Sequence, residues 1–219
     1  MTERGQMMDD AWYMDYAAGS LDSVGEEVLI ASHLELSGTA SERVAELERI
    51  GAALLMVAGD ETELNFSADD IFDMDAPASA PTPLAANDID SEIILPEALK
   101  SFLTGIERDV KWEFLGPGLQ KAMLWDGPEQ EKLWLLKAKP GVAIPHHGHN
   151  GSELTLVLKG SFHDGEQQYC RGDVEEAGPD TEHDIRIDDG EECICLALTR
   201  GKLRYDSPLL KLFQVFTGL

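Results

Sequence analysis

Partway along this chain, the spacing of apolar residues changes from helical to extended across a stretch that suits neither. The stretch is "DAPASAPTPLAAND", residues 75–88, with Pro77, Pro81 and Pro83 and almost no bulky side chains. Proline fixes φ and removes a backbone donor, so repeated prolines end helices and ladders alike. Small residues give such a stretch nothing to bury, and it reads as a flexible, partly extended linker. A chain of 219 residues with a different period on each side of it is expected to fold as two differently built parts. The expected limits are a helical part at 1–74, a linker at 75–92 and a β part at 93–219.

The first part carries three helical patterns with capping signals. "DDAWYMDYAAGS" offers Asp10 as a cap, Trp12, Tyr13 and Tyr16 at helical spacing, and Gly19 as a stop. Ser23 or Asp22 can cap a second helix with Val24, Val28, Ala31 and Leu34 on one face. Gly38 can end it. Thr39 or Ser41 can then start a third, with Val44, Leu47, Leu54 and Val57 inward and Glu42, Glu46 and Arg49 outward. "SADDIFDM" suggests one more short turn or helix. Short connections between such helices imply a small antiparallel bundle.

Beyond the linker, "PEALKSFLTG" reads as a short helix starting at Pro96, and the period then becomes two. "DVKWEFL", "LQKAMLW", "KLWLLKA", "ELTLVLKG", "DIRID" and "ECICLAL" are short, apolar and separated by Gly, Pro and Asp turns. Many short strands with few helices indicate a sandwich or a barrel. Within them lies "PGVAIPHHGHNGSELTLVLKG", which reads Gly141-x5-His147-x-His149-x3-Glu153-x6-Gly160. Side chains two apart on an extended chain share a face, so His147 and His149 point together and His146 points away. Asn150-Gly151 allows a turn, and Glu153 keeps the same parity. His183, after the expected turn at Gly172-Asp173, supplies a fourth donor. Three imidazoles and a carboxylate suit zinc, iron, manganese, nickel or cobalt.

Charge and cysteine usage narrow the function. The net charge is −25, and residues 1–95 hold 21 Asp and Glu against 3 Lys and Arg. Such a surface repels phosphate backbones, so direct nucleic-acid binding is not expected, whereas a basic protein partner is compatible with it. No apolar run is long enough to span a bilayer, and the polar, acidic first residues do not read as a signal peptide. Cys170, Cys193 and Cys195 make no disulfide framework, which points to a reducing, cytoplasmic setting. Cys193 and Cys195 alternate with Ile194 and Leu196 and read as inert lining of an apolar strand. The apolar end "LLKLFQVFTGL" is expected to pack on its own barrel or across a homodimer. No nucleophile–base pair and no phosphate loop stand out, so no catalytic residue is assigned.

The Gly-x5-His-x-His-x3-Glu-x6-Gly block resembles the first cupin motif. In the second motif Gly172 and His183 keep their separation, while proline moves to Pro179, Asp180 replaces glycine and Ile187 replaces asparagine. Over nearly its whole length outside the linker, the chain resembles the ChrR group of cupin anti-sigma factors. The likeness is carried by "YAAGSL", "DVKWEFLGPGLQKAML", "HGHNGSELTLVLKGSFHD", "GDVEEA" and "ECICLA". The resemblance implies a two-domain fold, a small all-α bundle followed by an all-β cupin jelly-roll barrel. It implies that the bundle sequesters an extracytoplasmic-function sigma factor and that the cupin senses oxidative stress or a ligand. It also implies a cupin metal on His147, His149, Glu153 and His183, zinc first, with iron, manganese or nickel as alternatives.

The same group binds a second zinc in its helical half, through an N-terminal histidine and His-x3-Cys-x2-Cys. Here "HLELSGTA" keeps His33 alone. Gln6 and Met7 occupy the N-terminal ligand region, and Ser37 and Ala40 stand in place of the cysteines. No zinc is therefore expected in the helical half. The segment reads as a helix–turn junction in which His33 meets the last carbonyls of helix two. The alternative reading of the whole chain is a cupin metalloenzyme of the dioxygenase kind, whose metal keeps open positions for substrate and O2.

Overall fold

The computed structural model describes residues 8–58, 94–201 and 203–204. Among these, four helices precede an antiparallel β structure. The helices are α1 (Asp10–Ala18), α2 (Val24–Leu36), α3 (Gly38–Ala58) and α4 (Glu97–Gly105). The linker, the "SADDIFDM" segment, Gln6, Met7 and the apolar end "LLKLFQVFTGL" all lie outside the described residues.

The caps set the helix limits. The Asp9 side chain accepts from the Ala11 N–H, so the cap of α1 falls one residue before the expected Asp10. Gly19, at φ 65°, closes the helix in the left-handed region that glycine enters without strain. Ser23 caps α2 through the Glu26 N–H. Between α2 and α3 the expected starts at Thr39 or Ser41 give way to Ser37. Its N–H bonds the His33 carbonyl, its Oγ accepts from the Ala40 N–H, and α3 begins at Gly38. One residue serves both helix ends, the first through its backbone N–H and the second through its hydroxyl. The Glu35 carboxylate then caps α4 by accepting from the Glu97 and Ala98 N–H groups at 2.6 and 2.7 Å.

Eleven strands among the described residues form two sheets. The first runs β1 (Glu113–Gly116), β2 (Leu119–Asp126), β3 (Glu131–Ala138), β10 (Cys193–Arg200), β5 (Glu153–Lys159) and β8 (Val174–Ala177). The second runs β11 (Leu203–Arg204), β4 (Ala143–His149), β9 (Glu182–Ile187), β6 (Ser161–Asp164) and β7 (Gln167–Cys170). Two antiparallel sheets facing each other make the jelly-roll barrel. The four-residue strands β6, β7 and β8 were not evident from the sequence, because "SFHD", "QQYC" and "VEEA" carry too few apolar residues to show a period.

Alternation in the six-stranded sheet divides its side chains between two cores. Leu133, Leu135, Leu154, Leu156, Leu158, Val174, Ile194, Leu196 and Leu198 pack with Tyr13, Leu29, Ile30, Leu99 and Leu103 of the helices. On the other face Val157, Cys193 and Cys195 pack with Phe162, Ile185 and Ile187 of the second sheet. The helices therefore lie directly on the outer face of the barrel and share a core with it.

This layering alters two readings of the helices. α2 lies between the sheet and its neighbouring helices, so Leu29 and Ile30 are fully buried, while Val24, expected inward, is half exposed. Leu54 and Val57 of α3, also expected inward, are 63% and 88% exposed. The cause is length. At 21 residues α3 is about 32 Å long, and its last turns run past the 9 and 13 residues of α1 and α2.

Helix α2 approaches the sheet closely at Gly25. A Cβ there would stand 2.5 Å from Leu198 Cδ1 and 3.2 Å from the Trp125 ring. Gly25→Val is expected to cost about 1–3 kcal/mol by overpacking, read as a lower urea midpoint. No helix among the described residues is long and apolar enough to cross a membrane.

Candidate metal centre

Strand β4 reaches the barrel interior through a bulge. Ile144 pairs with Ile185 and His147 with His183, so three steps on β4 match two on β9. The extra residue falls at Pro145-His146, where proline has no N–H to give a ladder. His146 turns outward between Asp184 at 3.2 Å and Glu182 at 3.7 Å. His147 and His149 turn inward, and pairing across the ladder sets His183 beside them.

The three imidazoles converge through one nitrogen each. His183 Nε2 lies 3.0 Å from His147 Nε2 and 3.1 Å from His149 Nε2. All three residues are 5% exposed or less. His147 Nδ1 is 2.9 Å from the Pro145 carbonyl, which only accepts, so the ring proton sits on Nδ1 and Nε2 carries a lone pair. His183 Nδ1 faces two carboxylates, Glu175 Oε1 at 3.4 Å and Asp164 Oδ2 at 3.5 Å, which favours its proton on that side too. With both ring protons on Nδ1, two lone pairs would face each other at 3.0 Å and repel, a conflict that either a shared proton or a metal cation between them removes. The donor set thus fits a divalent metal on imidazole nitrogen. Burial, followed by the neighbouring histidines, lowers His147 to about 4 and His149 to about 3, so both are neutral donors at pH 7. Burial also acts to lower His183, but Glu175, Asp164 and Glu153 outweigh it and its pKa is raised.

Glu153 enters from the opposite sheet, at the start of β5. Its carboxyl is buried and accepts from Thr155 Oγ1 at 3.2 Å. Burial, reinforced by Glu175, pushes it up to about 7. Among the described residues, the groups of three whose donor atoms lie within 4.8 Å of one another are His147, His149 and His183, and separately Asp164, Glu175 and His183. Glu153 stands outside both in this conformation.

Sequence reasoning did not single out Asp164 and Glu175. They face the second nitrogen of His183 at 3.5 and 3.4 Å, the position carboxylates commonly take behind a metal-bound imidazole. Their signal lay in "SFHD" and "GDVEEA", where an acidic residue sits inside a short strand. Glu175 is buried, with neither carboxylate oxygen hydrogen-bonded. The two inner cysteines are not poised for chemistry. Cys195 lies 3.6 Å from Cys193 Sγ to Sγ, and that contact with burial pushes its thiol well up.

His33, expected to meet the last carbonyls of its own helix, bonds elsewhere. Its ring is buried between α1 and the barrel. Nδ1 donates to the Gly172 carbonyl at 2.8 Å, so Nε2 is the bare nitrogen and accepts from Tyr13 O–H at 3.0 Å. The side chain leaves the helix sideways because α2 has a sheet on one flank and α1 on the other. Burial lowers its pKa from 6.5, and the folded chain holds it neutral. The unfolded chain takes up that proton below about pH 6.5, so the folded state loses stability as pH falls from there. His33→Phe is expected to cost about 2 kcal/mol at pH 7, by stranding the Tyr13 hydroxyl and the Gly172 carbonyl. It should also flatten the pH dependence of the urea midpoint between pH 6.5 and 5.

Known proteins are similar to this chain in sequence and fold. A family profile described as the ChrR cupin-like domain matches residues 103–202. The chain is 35% identical over 215 residues to the anti-sigma-E factor ChrR of Cereibacter sphaeroides, covering 95% of this chain and 96% of that protein. It is also similar to a chain in the crystal structure of Rhodobacter sphaeroides SigE in complex with the anti-sigma ChrR. That match has 33% identity and a TM-score of 0.68, covering 89% of this chain and 98% of the other.

Proposed function

The chain belongs to the ChrR family of anti-sigma factors, and from that premise we propose that its helical half sequesters an extracytoplasmic-function sigma factor while its cupin half senses oxidative stress or a ligand. The observation that carries this reading is the end-to-end match to a chain from a sigma–anti-sigma complex, helices and barrel together. Two features of this chain support it. The last turns of α3 expose Leu54, Leu55, Met56 and Val57 in succession, an apolar surface suited to a protein partner. The acidic excess of residues 1–95 complements the basic surfaces with which a sigma factor reads DNA.

In this reading the cupin holds one divalent metal, zinc, on His147, His149 and His183, with Glu153 as the fourth donor. A cation beside Glu153 would favour its ionised form over the half-protonated one. Asp164 and Glu175 fix the ring of His183. The protein works in the cytoplasm, where sigma factors act and where the free thiols of Cys170, Cys193 and Cys195 persist.

The test is co-expression of the full chain with the sigma factor encoded nearest to it. Helices and sheet share a core, so the intact protein is the form to use. Expected is a 1:1 complex that blocks sigma-dependent transcription, with zinc by elemental analysis. A folded, metal-loaded protein that captures no sigma factor, and instead consumes O2 with a small substrate, would transfer the assignment to a cupin dioxygenase.

A further inference from the structure

We propose that strand β8, with the turn before it, is the mechanical link through which the metal centre acts on the helical half. This rests on the reading of His147, His149 and His183 as a metal site. Residues 172–177 address the two halves in turn. The Gly172 carbonyl accepts from His33 of α2, whose other nitrogen is bonded to Tyr13 of α1. Gly172 itself, at φ +94°, passes so near the end of α2 that a Cβ would stand 3.0 Å from the Leu36 carbonyl oxygen. Val174 packs in the core beneath the helices. Glu175 points the other way, into the barrel, with Oε1 3.4 Å from Nδ1 of His183. Glu176 points outward again. Its Oε1 accepts from the Asp9 N–H at 2.8 Å and its Oε2 from Trp12 Nε1 at 2.9 Å, so it caps the start of α1.

Adjacent carboxylates on one short strand therefore hold a candidate metal ligand on one side and a helix N-terminus on the other. The strand is also held from one side. β8 is four residues long, lies at the edge of its sheet and, among the described residues, pairs with β5 alone. β5 and β10 are held on both sides. When the imidazole of His183 turns, Glu175 follows it. β8 then shifts along a single ladder, and Glu176 and Gly172 draw away from α1 and α2. The helices that would hold the partner are loosened without any direct contact with the metal.

Amide hydrogen exchange on the full chain, loaded with zinc and then stripped by a chelator, tests this without a partner. Stripping is expected to speed exchange at the amides of Ala11–Tyr13 and of α2 by about tenfold or more, with β2 and β3 unchanged. Glu176→Ala should keep its zinc while the start of α1 exchanges fast in both states. Glu175→Gln, loaded at saturating zinc, keeps the shape but removes the charge that faces His183, and should blunt the response of the helices to stripping. Helices blind to the removal of a demonstrably bound metal would overturn the link and leave the sensor assignment standing. Uniform acceleration across all strands would overturn it as well, by showing global unfolding. A chain that takes up no zinc would fail at the first elemental analysis, and the metal reading and the link would fall together.

Discussion

If His147, His149 and His183 form a metal site as proposed, His183→Ala will abolish metal binding by the cupin. Its Nε2 is the nitrogen common to the two short contacts, 3.0 Å to His147 and 3.1 Å to His149. Loss of one imidazole from three leaves two neutral donors and Glu153, too few to compete with a chelator. Affinity should fall by at least about a hundredfold, beyond the 10–100-fold expected for the supporting variant Glu175→Gln. Elemental analysis after dialysis against a weak chelator reads the first effect, and a competition titration with a chromophoric chelator reads the second. His146→Ala is the control. That ring points outward to Asp184 and Glu182, and its removal should leave metal content unchanged. Equal losses in His146→Ala and His183→Ala would place the metal elsewhere.

Arg200→Ala will produce the largest loss of stability among single changes at the helix–sheet junction. Arg200 Nη2 lies 2.7 Å from Glu26 Oε1 of α2 and 3.3 Å from Glu131 Oε1 of β3. Both glutamates are 2% exposed, and Ser23 Oγ donates to the same Glu131 oxygen. Without the guanidinium, two buried carboxylates face each other with no cation between them. Breaking such a set from one side costs about 3 kcal/mol, roughly 10 °C in melting temperature for a chain of this size. Burial already holds the Glu26 carboxyl above its usual range. A carboxyl raised in the folded state stabilises at low pH and loses that contribution as pH rises through its folded value. The deficit of Arg200→Ala should therefore be larger at pH 8 than at pH 5. Replacing Glu26 and Glu131 by glutamine in the same chain should recover part of it. A deficit independent of pH would mean that the lost stem of Arg200, and not its charge, was responsible.

The sequence by itself determined what depends on the chain's local repeat. The period of two set His147 and His149 on one face and His146 on the other, because adjacent side chains on a strand leave it in opposite directions. Ser23 and Gly19 marked helix ends through hydrogen-bonding and dihedral preferences that act within four residues. Alternation likewise marked Cys193 and Cys195 as lining. The change of period across the proline-rich stretch indicated two differently built parts, the spacing after Gly172-Asp173 offered His183, and the resemblance to ChrR-type cupins rested on the same local patterns.

Only the tertiary structure decided which residues meet across elements. His33 finds its acceptor at Gly172, 139 residues away. Asp164 and Glu175 reach His183 because β6 pairs with β9 and β8 lies across the barrel from it, an arrangement no spacing within either segment reveals. Leu54 and Val57 have the spacing of a buried face and stand in the open, since α3 outlasts the surfaces it packs on. A local pattern records which side chains share a face. The order of strands, the register of their pairing and the layering of helix on sheet decide what that face touches. Those follow from burying the apolar surface of the whole chain at once, so no short segment contains them.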